Sequence, residues 1–333
     1  MTATQSNREL FNCELGDFLD QSPTPFHAVS TMSEMLTEAD FTALSEAADW
    51  DLQQGGKYFV TRNGSSLIAF VVGTDSLAET GIRMAGAHTD SPCLMVKPQP
   101  ELLNNQYYQL GVEVYGGALL NPWFDRDLSI AGRLIFSDKN GQLKQKLVNF
   151  DEPVAMIPSL AIHLDREANS GRTVNAQTDI PPILMQAKEK QDFQQLLRER
   201  FLNQGEQVMD YELCFYDVQQ AATLGLKKEF FASARLDNLL SCFVATKALI
   251  EAQTDSTSLI VCNDHEEVGS ISSVGADGPF LESVVERLCQ RDSEAANKSR
   301  ILGNSLLISC DNAHAVHPNF ASKHDKGHST LLN

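Results

Sequence analysis

Short apolar segments alternate with segments of helical period at both ends of the 333-residue chain, and this alternation indicates the class of fold. Beyond residue 231 the periodicity predicts helices at 237–252 and 279–290, and strands at Ser258–Cys262 and Ser305–Cys310. Short buried strands that alternate with helices are typical of a sheet with helices packed on its faces. The sequence therefore predicts an α/β fold.

The part of the chain before residue 98 follows the same pattern. Its predicted elements are helices at 7–20 and 26–38, a hairpin of Lys57–Thr61 and Ser66–Val72 around Arg62–Asn63–Gly64, and a strand at Ile82–Ala87. Asn-Gly between two apolar segments is a strong hairpin signal. Together with the C-terminal elements, these segments predict a central mixed β-sheet flanked by helices.

Residues 98–231 have a different pattern, which predicts a β-rich insertion. The predicted elements are strands at Tyr108–Tyr115, Leu128–Phe136, Lys146–Phe150 and Leu213–Val218, a hairpin turn at 138–141 and a helix at Pro181–Leu202. We therefore expect residues 1–97 and 232–333 to form one α/β domain, which the inserted segment interrupts. Two unrelated domains in series are the alternative.

The composition argues against several classes of function. The chain has 26 Lys and Arg against 44 Asp and Glu, and its formal charge of −18 argues against nucleic-acid or anionic-membrane partners. No apolar run approaches the ~18–20 residues that span a bilayer. The 7 cysteines are dispersed and odd in number. This usage is typical of reduced thiols and predicts a cytoplasmic protein.

Three of the predicted strands lead into residue types that bind metal ions. In chain order, these strands are followed by His88-Thr-Asp90, by Glu266-Glu267 and by Asp311. In open α/β sheets the functional crevice lies at the carboxyl ends of the strands. We therefore expect these side chains to converge at one edge of the sheet, where they would form a metal centre.

Each candidate also has a purely structural explanation. A single histidine after a strand is most often structural, and Asp237, at the start of a predicted helix, stands where an ordinary helix cap would stand. Adjacent carboxylates such as Glu266-Glu267 are costly beside a buried strand unless a cation neutralises them. The coincidence of all these residues favours a metal centre over the separate explanations.

The candidates are of the types that a hydrolytic metal centre uses. Imidazole and carboxylate ligands suit Zn²⁺, with Mn²⁺ or Co²⁺ as alternatives, and two ions can share a bridging carboxylate. One glutamate of the pair can take the proton of a bound water while its neighbour holds the metal, and Asp90 can fix the tautomer of His88. No nucleophile elbow, phosphate-binding loop or complete H-E-x-x-H motif supports another mechanism.

Four short motifs contain these candidates: Gly86-Ala-His88-Thr-Asp90-Ser-Pro, Ser233-Ala-Arg-Leu-Asp237-Asn, Asp264-His-Glu266-Glu267-Val-Gly-Ser and Asp311-Asn-Ala-His-Ala-Val-His317-Pro-Asn. Together they resemble the M18 family of zinc aminopeptidases, the aspartyl aminopeptidases. The resemblance implies an α/β metallopeptidase domain with an inserted β-rich dimerisation domain, and assembly into dodecamers. It also implies two Zn²⁺ per complete subunit and peptide substrates with an acidic N-terminal residue.

The resemblance also assigns a role to each candidate ligand. It implies that His88, Asp237 and Asp311 hold one metal ion. Asp237 is implied to bridge to a second ion, which Glu267 also binds.

The same resemblance implies a mechanism. Glu266 is the implied general base, and Asp90 is implied to orient the metal-binding histidine. The expected reaction is hydrolysis of the N-terminal peptide bond by a metal-activated water. A metallo-amidohydrolase of broad specificity is an alternative, because dinuclear sites at sheet edges also serve that chemistry.

The insertion contains one more motif of this family, Pro158-Ser-Leu-Ala-Ile-His163-Leu-Asp-Arg. From the sequence alone His163 is a strand histidine without a role. The resemblance implies that it is either a metal-site residue or a substrate contact across a dimer. A group of C-terminal histidines is expected to shape the local loop: His314, His317, His324 and His328.

The resemblance finally predicts that family chains continue past Asn333. The continuation would supply a last histidine ligand and a lysine that recognises the acidic side chain. We therefore expect the 333-residue form to be incomplete, weakly occupied at its second metal site and poorly active or inactive. A catalytically impaired relative that still oligomerises is a further alternative, as is a C-terminal histidine that replaces the missing ligand.

Overall fold

The computed structural model describes residues 3–253, 255–291 and 298–332, and the chain divides into two compact units. Unit 1 comprises Met1–Ser91 and Gln220–Asn333, and unit 2 comprises Pro92–Gln219. A discontinuous unit is thus interrupted by a continuous one.

Both boundaries between the units precede the expected ones at residues 98 and 231. The strand Cys93–Asn104 belongs to the sheet of unit 2, so that unit begins earlier than the sequence pattern suggests. The hairpin of Ala222–Leu224 and Phe230–Ala232 belongs instead to unit 1, where Phe231 packs against a core.

Helices and strands alternate in unit 1, and strands predominate in unit 2. The α-helices are α1 (Ala3–Asp20), α2 (Pro25–Glu38), α3 (Leu77–Thr80), α4 (Phe193–Phe201), α5 (Leu236–Ile250), α6 (Phe280–Arg291) and α7 (Lys298–Asn304). The strands are β1 (Thr42–Leu44), β2 (Lys57–Arg62), β3 (Ser66–Val71), β4 (Ile82–His88), β5 (Cys93–Asn104), β6 (Tyr107–Tyr115), β7 (Leu128–Ser137), β8 (Leu143–Asn149), β9 (Ile183–Gln186), β10 (Gln207–Asp217), β11 (Ala222–Leu224), β12 (Phe230–Ala232), β13 (Thr257–Asn263) and β14 (Leu306–Ser309). Short 3₁₀-helices are Asn121–Trp123, Glu266–Val268 and Pro318–Lys323. In the described part of the chain, no helix is both long enough and apolar enough to cross a membrane.

Unit 1 is built on a mixed sheet with the strand order β1-β2-β3-β13-β4-β14. β13, β4 and β14 run parallel, whereas β3 is antiparallel to both β2 and β13. The register pairs Asn263 with His88 and Ser309 with Gly86. The carboxyl ends of three strands therefore meet at one edge, and the predicted α/β fold with a mixed sheet is confirmed.

The predicted hairpin between β2 and β3 is also confirmed. Arg62 pairs with Ser66 in antiparallel register. In the turn between them, Asn63 and Gly64 have φ angles of 56° and 68°. Asn and Gly adopt this left-handed conformation at less cost than other residues, which explains why the dipeptide predicts the turn.

Helices cover both faces of the mixed sheet. Along β3, Leu67, Ala69 and Val71 face a core that includes α1, α2 and α5. The alternate residues Ile68 and Phe70 face a second core that includes α3, α6 and α7. Burial of a large apolar side chain such as Leu67 or Phe70 contributes about 1.5–3 kcal/mol. The two layers therefore hold the sheet, and the edge where its strands end, in a fixed arrangement.

The strand predicted at Ser305–Cys310 is shorter and more exposed than expected. β14 is the edge strand, and among the described strands it pairs only with β4. Leu306, Leu307 and Ile308 are 53%, 49% and 57% exposed. The prediction of a buried strand is wrong because an apolar run does not distinguish an edge strand from a central one.

Unit 2 contains a six-stranded antiparallel sheet with the order β8-β7-β10-β5-β6-β9. Phe193 and Leu197 of α4 pack on this sheet, in a core with Tyr108, Leu134 and Phe215. The β-rich character predicted for the insertion is confirmed.

The single helix predicted at Pro181–Leu202 is wrong. The first part of this segment is β9, in which Met185 pairs with Tyr108 of β6. Helix α4 begins only after Asp192, whose carboxylate accepts a hydrogen bond from the backbone N–H of Gln195. Pairing with β6 overrides the helical propensity of the residues that form β9. The N-cap Asp192 then sets the start of α4.

Candidate metal centre

Three elements of unit 1 bring ligand-type side chains to the carboxyl edge of the mixed sheet. His88 is the last residue of β4, Asp311 follows β14, and Asp237 lies in the first turn of α5. Arg235, with a φ of 61°, occupies the N-cap position, and Asp237 has non-helical dihedral angles. The Asp237–Asn238 peptide bond is cis. Asp237 therefore lies at a kink at the start of α5, and not in a regular helical turn.

The three side chains form a compact cluster. One potential ligand atom from each of His88, Asp237 and Asp311 lies within 4.8 Å of the other two. Nε2 of His88 is 3.4 Å from Oδ1 of Asp237 and 3.7 Å from Oδ1 of Asp311. The histidine side chain is 6% exposed, whereas those of the two aspartates are 55% and 58% exposed. A buried nitrogen and two accessible carboxylates therefore form a site that is open on one side.

Negative charge accumulates in this cluster. Burial raises the pKa of Asp237, and a hydrogen bond with Asp311 and the charge of that residue raise it further. Burial and then the charge of Asp90 raise the pKa of Glu267. Burial lowers the pKa of His88, but the hydrogen bond and the charge of Asp90 outweigh this effect, and the pKa is raised to about 9. A divalent cation would relieve the repulsion among these carboxylates.

Asp90 connects the histidine with the turn that contains the two glutamates. Its Oδ1 lies 3.3 Å from Nδ1 of His88, and its backbone carbonyl lies 3.0 Å from the same nitrogen. Its two carboxylate oxygens accept hydrogen bonds from the backbone N–H groups of Glu266 and Glu267, each at 3.1 Å. Asp90 is 1% exposed. It is therefore placed to orient His88, and it also anchors the turn, a role that the sequence does not suggest.

Further contacts stabilise the same turn, and the sequence motifs assign no role to the residues that make them. His265 has a φ of 67°, and its Nδ1 lies 2.8 Å from Oγ of Ser272. That hydroxyl oxygen also accepts a hydrogen bond from the backbone N–H of Gly275. The buried Asp264 accepts one from the N–H of His265. The Asp-His pair before the glutamates is the signal from which this support could have been suspected.

Glu266 and Glu267 differ in their relation to the cluster. Oε2 of Glu266 lies 3.8 Å from Nε2 of His88, and this side chain is 49% exposed. Within the described residues, the metal-type cluster consists of His88, Asp237 and Asp311, and Glu267 is outside it. The structure thus brings together the first predicted ligand set, and a second metal ion remains a prediction.

His163 lies in a turn of unit 2, where the N–H of Leu164 donates a hydrogen bond to the carbonyl of Ala161. The strand position expected for this histidine is wrong. Leu160, Ile162 and Leu164 recur at every second position as in a strand, but they are 54%, 45% and 76% exposed. The apolar residues at every second position of this segment therefore do not form the buried face of a strand.

The C-terminal histidines contact their own loop. Nδ1 of His317 accepts a hydrogen bond from the N–H of Asn319, and Nε2 of His324 accepts one from the N–H of His317. The loop-shaping role predicted for these two residues is confirmed. Neither they nor His314 and His328 belong to the metal-type cluster found among residues 3–253, 255–291 and 298–332.

The donor set of the cluster fits a catalytic zinc ion. Zn²⁺ binds imidazole nitrogen and carboxylate oxygen, and catalytic sites commonly have three protein ligands and one open position. The exposure of Asp237 and Asp311 leaves room for such a position. Binding at Nε2 requires a neutral imidazole, whose Nδ1–H would then point to Asp90.

Comparison with known proteins agrees with this fit. The family described as Aminopeptidase I zinc metalloprotease (M18) matches residues 18–333. A relative from Stutzerimonas stutzeri, named "Probable M18 family aminopeptidase 2", is 53% identical over 332 residues, which are 98% of this chain and 76% of the relative. The structure of Chaetomium thermophilum mApe1 is 34% identical, has a TM-score of 0.86, and is matched over 98% of this chain and 79% of its own. A yeast mApe1 dodecamer is 31% identical, with a TM-score of 0.82, over 98% of this chain and 76% of its own.

Proposed function

The chain belongs to the M18 family of zinc aminopeptidases, and from this premise we propose that it removes an N-terminal Asp or Glu from peptides at a dinuclear site. The observation that carries the proposal is the convergence of His88, Asp237 and Asp311 within 4.8 Å at the carboxyl edge of the sheet. The preference for an acidic residue rests on the resemblance of the four motifs to aspartyl aminopeptidases.

We use the cluster and the residues around it to assign ligands to the two ions. His88, Asp237 and Asp311 would hold one Zn²⁺, and Asp237 with Glu267 would hold the other. The raised pKa values of Asp237 and Glu267 support this assignment, because they reflect carboxylates placed near one another at partly buried positions. Bound zinc supplies polarisation of the scissile carbonyl and a water of lowered pKa. Mn²⁺ and Co²⁺ are alternative occupants.

The residues of this chain then have distinct tasks. Glu266 accepts a proton from the attacking water and delivers it to the leaving amine. Its exposed carboxylate beside His88 is accessible to a substrate. Asp90 acts through other residues, since it holds the imidazole of His88 and the backbone of Glu266.

A preference for apolar N-terminal residues is the second candidate. Val268 and Ile271, which follow the glutamates, are 55% and 84% exposed. The sequence from Asp264 to Gly278 contains no Lys or Arg, and the formal charge of the chain is −18. An acidic side chain would need positive charge close to its binding position, whereas an apolar one would not.

Anilides of Asp, Glu and Leu distinguish the two candidates when they are compared on one sample of known zinc content. Faster zinc-dependent turnover of the Asp and Glu anilides supports the first candidate, and faster turnover of the Leu anilide supports the second. Acyl-amino acids serve as controls, because their preferential hydrolysis would favour a metallo-amidohydrolase. Turnover that does not depend on zinc would contradict all three.

We also propose that the protein is a homo-oligomer and that unit 2 mediates its self-association. The dodecamer formed by a relative supports this proposal. The exposed apolar side chains of Met156, Leu160 and Leu164 in unit 2 support it as well. Light scattering is the test, and a fully active monomer would contradict it. The 7 cysteines, dispersed and odd in number, support a cytoplasmic location as a further part of the proposal.

A further inference from the structure

Two asparagines of unit 1 make reciprocal hydrogen bonds at the edge where the candidate ligands converge. Nδ2 of Asn238 donates a hydrogen bond to the backbone carbonyl of Cys310 at 2.8 Å. Nδ2 of Asn312 donates one to the backbone carbonyl of Leu236 at 2.5 Å. The two bonds connect the start of α5 with the segment that follows β14.

These bonds flank both aspartates of the cluster. Asp237 stands between Leu236, which accepts one bond, and Asn238, which donates the other. Asp311 stands in the same way between Cys310, which accepts the bond from Asn238, and Asn312, which donates the other. Each ligand-bearing residue is therefore held on both sides by the segment that carries the other ligand.

The burial of Asn238 indicates that its bond is important. Its residue surface is 0% exposed, and its Oδ1 has no hydrogen-bond partner in the part of the chain that the structure describes. A buried carboxamide costs free energy unless it is hydrogen-bonded. The Nδ2 bond to Cys310 is the described polar contact that offsets this cost.

Regular secondary structure does not fix the two aspartates. Asp237 has non-helical dihedral angles, and Asp311 lies beyond Ser309, the last residue of β14. Besides the asparagine bonds, the carbonyl of Asp237 accepts a hydrogen bond from Oγ of Ser91 at 2.7 Å. A backbone bond from the N–H of Cys310 to the carbonyl of Gly86 holds the residue before Asp311, and the side-chain contacts complete the placement of the two carboxylates.

We infer that Asn238 and Asn312 are positioning residues that set the separation of Asp237 and Asp311 for metal binding. This asparagine clamp, the pair of bonds donated by the two residues, rests on the proposed metal site. It acts on the metal only through the two aspartates, so neither asparagine is a ligand. Its loss should change the geometry and the affinity of the bound ion.

Binding of Co²⁺ to Asn238→Ala, Asn312→Ala and the double variant tests the clamp, because the visible absorption of Co²⁺ reports its coordination geometry. Asn304→Ala is the matched control: Nδ2 of Asn304 also donates to a distant carbonyl, that of Ala78, at 2.8 Å. We expect each clamp variant to bind Co²⁺ about 10–100-fold more weakly, with a changed spectrum, as for other residues that support metal ligands. The control should keep the parent affinity and spectrum.

The double variant shows whether the two hydrogen bonds are energetically coupled. A loss of affinity that differs from the product of the two single losses supports the clamp, because independent bonds would contribute additively in free energy. Parent-like affinity and spectrum in both single variants, or a loss no larger than in Asn304→Ala, would overturn it. If Asn238→Ala does not fold, Asn312→Ala decides alone, because Asn312 is only partly buried.

A separate measurement distinguishes failure of the clamp from failure of the metal site. Co²⁺ binding to the parent protein should depend on Asp237, so Asp237→Asn should weaken it. Parent binding that is insensitive to Asp237→Asn would overturn the proposed metal site, and the clamp with it. Sensitivity to Asp237→Asn combined with parent-like binding in the asparagine variants would overturn the clamp alone.

Discussion

The carboxylate of Asp90 accepts a hydrogen bond from the backbone N–H of Glu266 at 3.1 Å. The same buried carboxylate lies 3.3 Å from Nδ1 of His88. One residue thus contacts both the proposed metal ligand and the backbone of the proposed general base. A change at Asp90 should therefore affect metal binding and proton transfer together.

Asp90→Asn is expected to lower zinc affinity about 10–100-fold and to lower turnover with it. Asparagine has one accepting oxygen where aspartate has two, so the N–H of Glu266 or Glu267 would lose its acceptor and face an NH₂ group. Competition with a chromophoric chelator measures the affinity. Asp49→Asn, at an exposed carboxylate, is the control. Unchanged zinc affinity in Asp90→Asn would contradict the supporting role.

Glu266→Gln is expected to lower turnover by about 10²–10⁴-fold and to leave the metal content unchanged. The substitution removes a proton acceptor, whereas the three clustered ligand side chains stay in place. Elemental analysis and anilide turnover on the same sample check both parts. Glu251→Gln, at an exposed position after α5, controls for loss of a negative charge. Retention of more than about a tenth of the parent rate would exclude Glu266 as the base.

Asp237→Asn and Asp311→Asn are expected to differ in metal stoichiometry. A carboxylate that bridges two ions serves both, so Asp237→Asn should lower the occupancy of both sites. Asp311 is assigned to one ion, so Asp311→Asn should lower the occupancy of that ion only. Elemental analysis after gel filtration gives the two values. Equal losses in the two variants would argue against a bridging role for Asp237, and unchanged stoichiometry in Asp237→Asn would remove it from the site.

Part of this site could be predicted because strand ends and residue types are local properties of the sequence. The apolar strand that ends at His88 indicates the edge of the sheet, and the parallel pairing of β14 with β4 brings Asp311 to the same edge. The position of β14 at the edge of the sheet could not be predicted, because strand order is a property of the whole sheet. The helix predicted at Pro181–Leu202 fails for the same reason, since pairing with β6 determines the conformation of β9.

The contacts of the two asparagines could not be predicted in full, although they have a sequence signal. Both clustered aspartates are followed directly by asparagine, in Asp237-Asn238 and Asp311-Asn312. The repeated dipeptide could have indicated equivalent roles for the two asparagines. It could not have indicated that each donates to the segment of the other, because that contact is set by tertiary packing.

His27 is expected to make the stability of the protein depend on pH. Burial lowers the pKa of His27 from 6.5 to about 4, and its Nδ1 lies 2.8 Å from Oγ1 of Thr24. Since the unfolded chain binds a proton at higher pH than the folded chain, stability falls as the pH falls from 6.5 towards 4. We expect a loss of about 2 kcal/mol between pH 7 and pH 5 from this group.

Urea unfolding of the parent and of His27→Gln at pH 7 and pH 5 measures this contribution. Glutamine does not titrate in this range, so the variant should lose less stability than the parent as the pH falls. His328→Gln is the matched control, because the side chain of His328 is 87% exposed. The same loss of stability in the parent and in His27→Gln would show that His27 is not the responsible group.

The proposed role of His163 across a dimer can be tested by complementation between two inactive variants. If His163 acts in the site of a neighbouring subunit, a mixed dimer of His163→Ala and Asp237→Asn contains one site with all its residues. That site has Asp237 from the first subunit and His163 from the second. Co-expression with two affinity tags isolates the mixed form, and its anilide turnover should exceed that of either variant alone.

The combination of Asp237→Asn with Asp311→Asn is the control for this experiment. Both residues belong to one cluster in the same chain, so every site of that mixed dimer lacks a ligand and no activity should return. Recovery in the first mixture but not in the second would support a contribution of His163 to the neighbouring site. Equal inactivity of both mixtures, in dimers verified by light scattering, would place the action of His163 within its own subunit or outside catalysis.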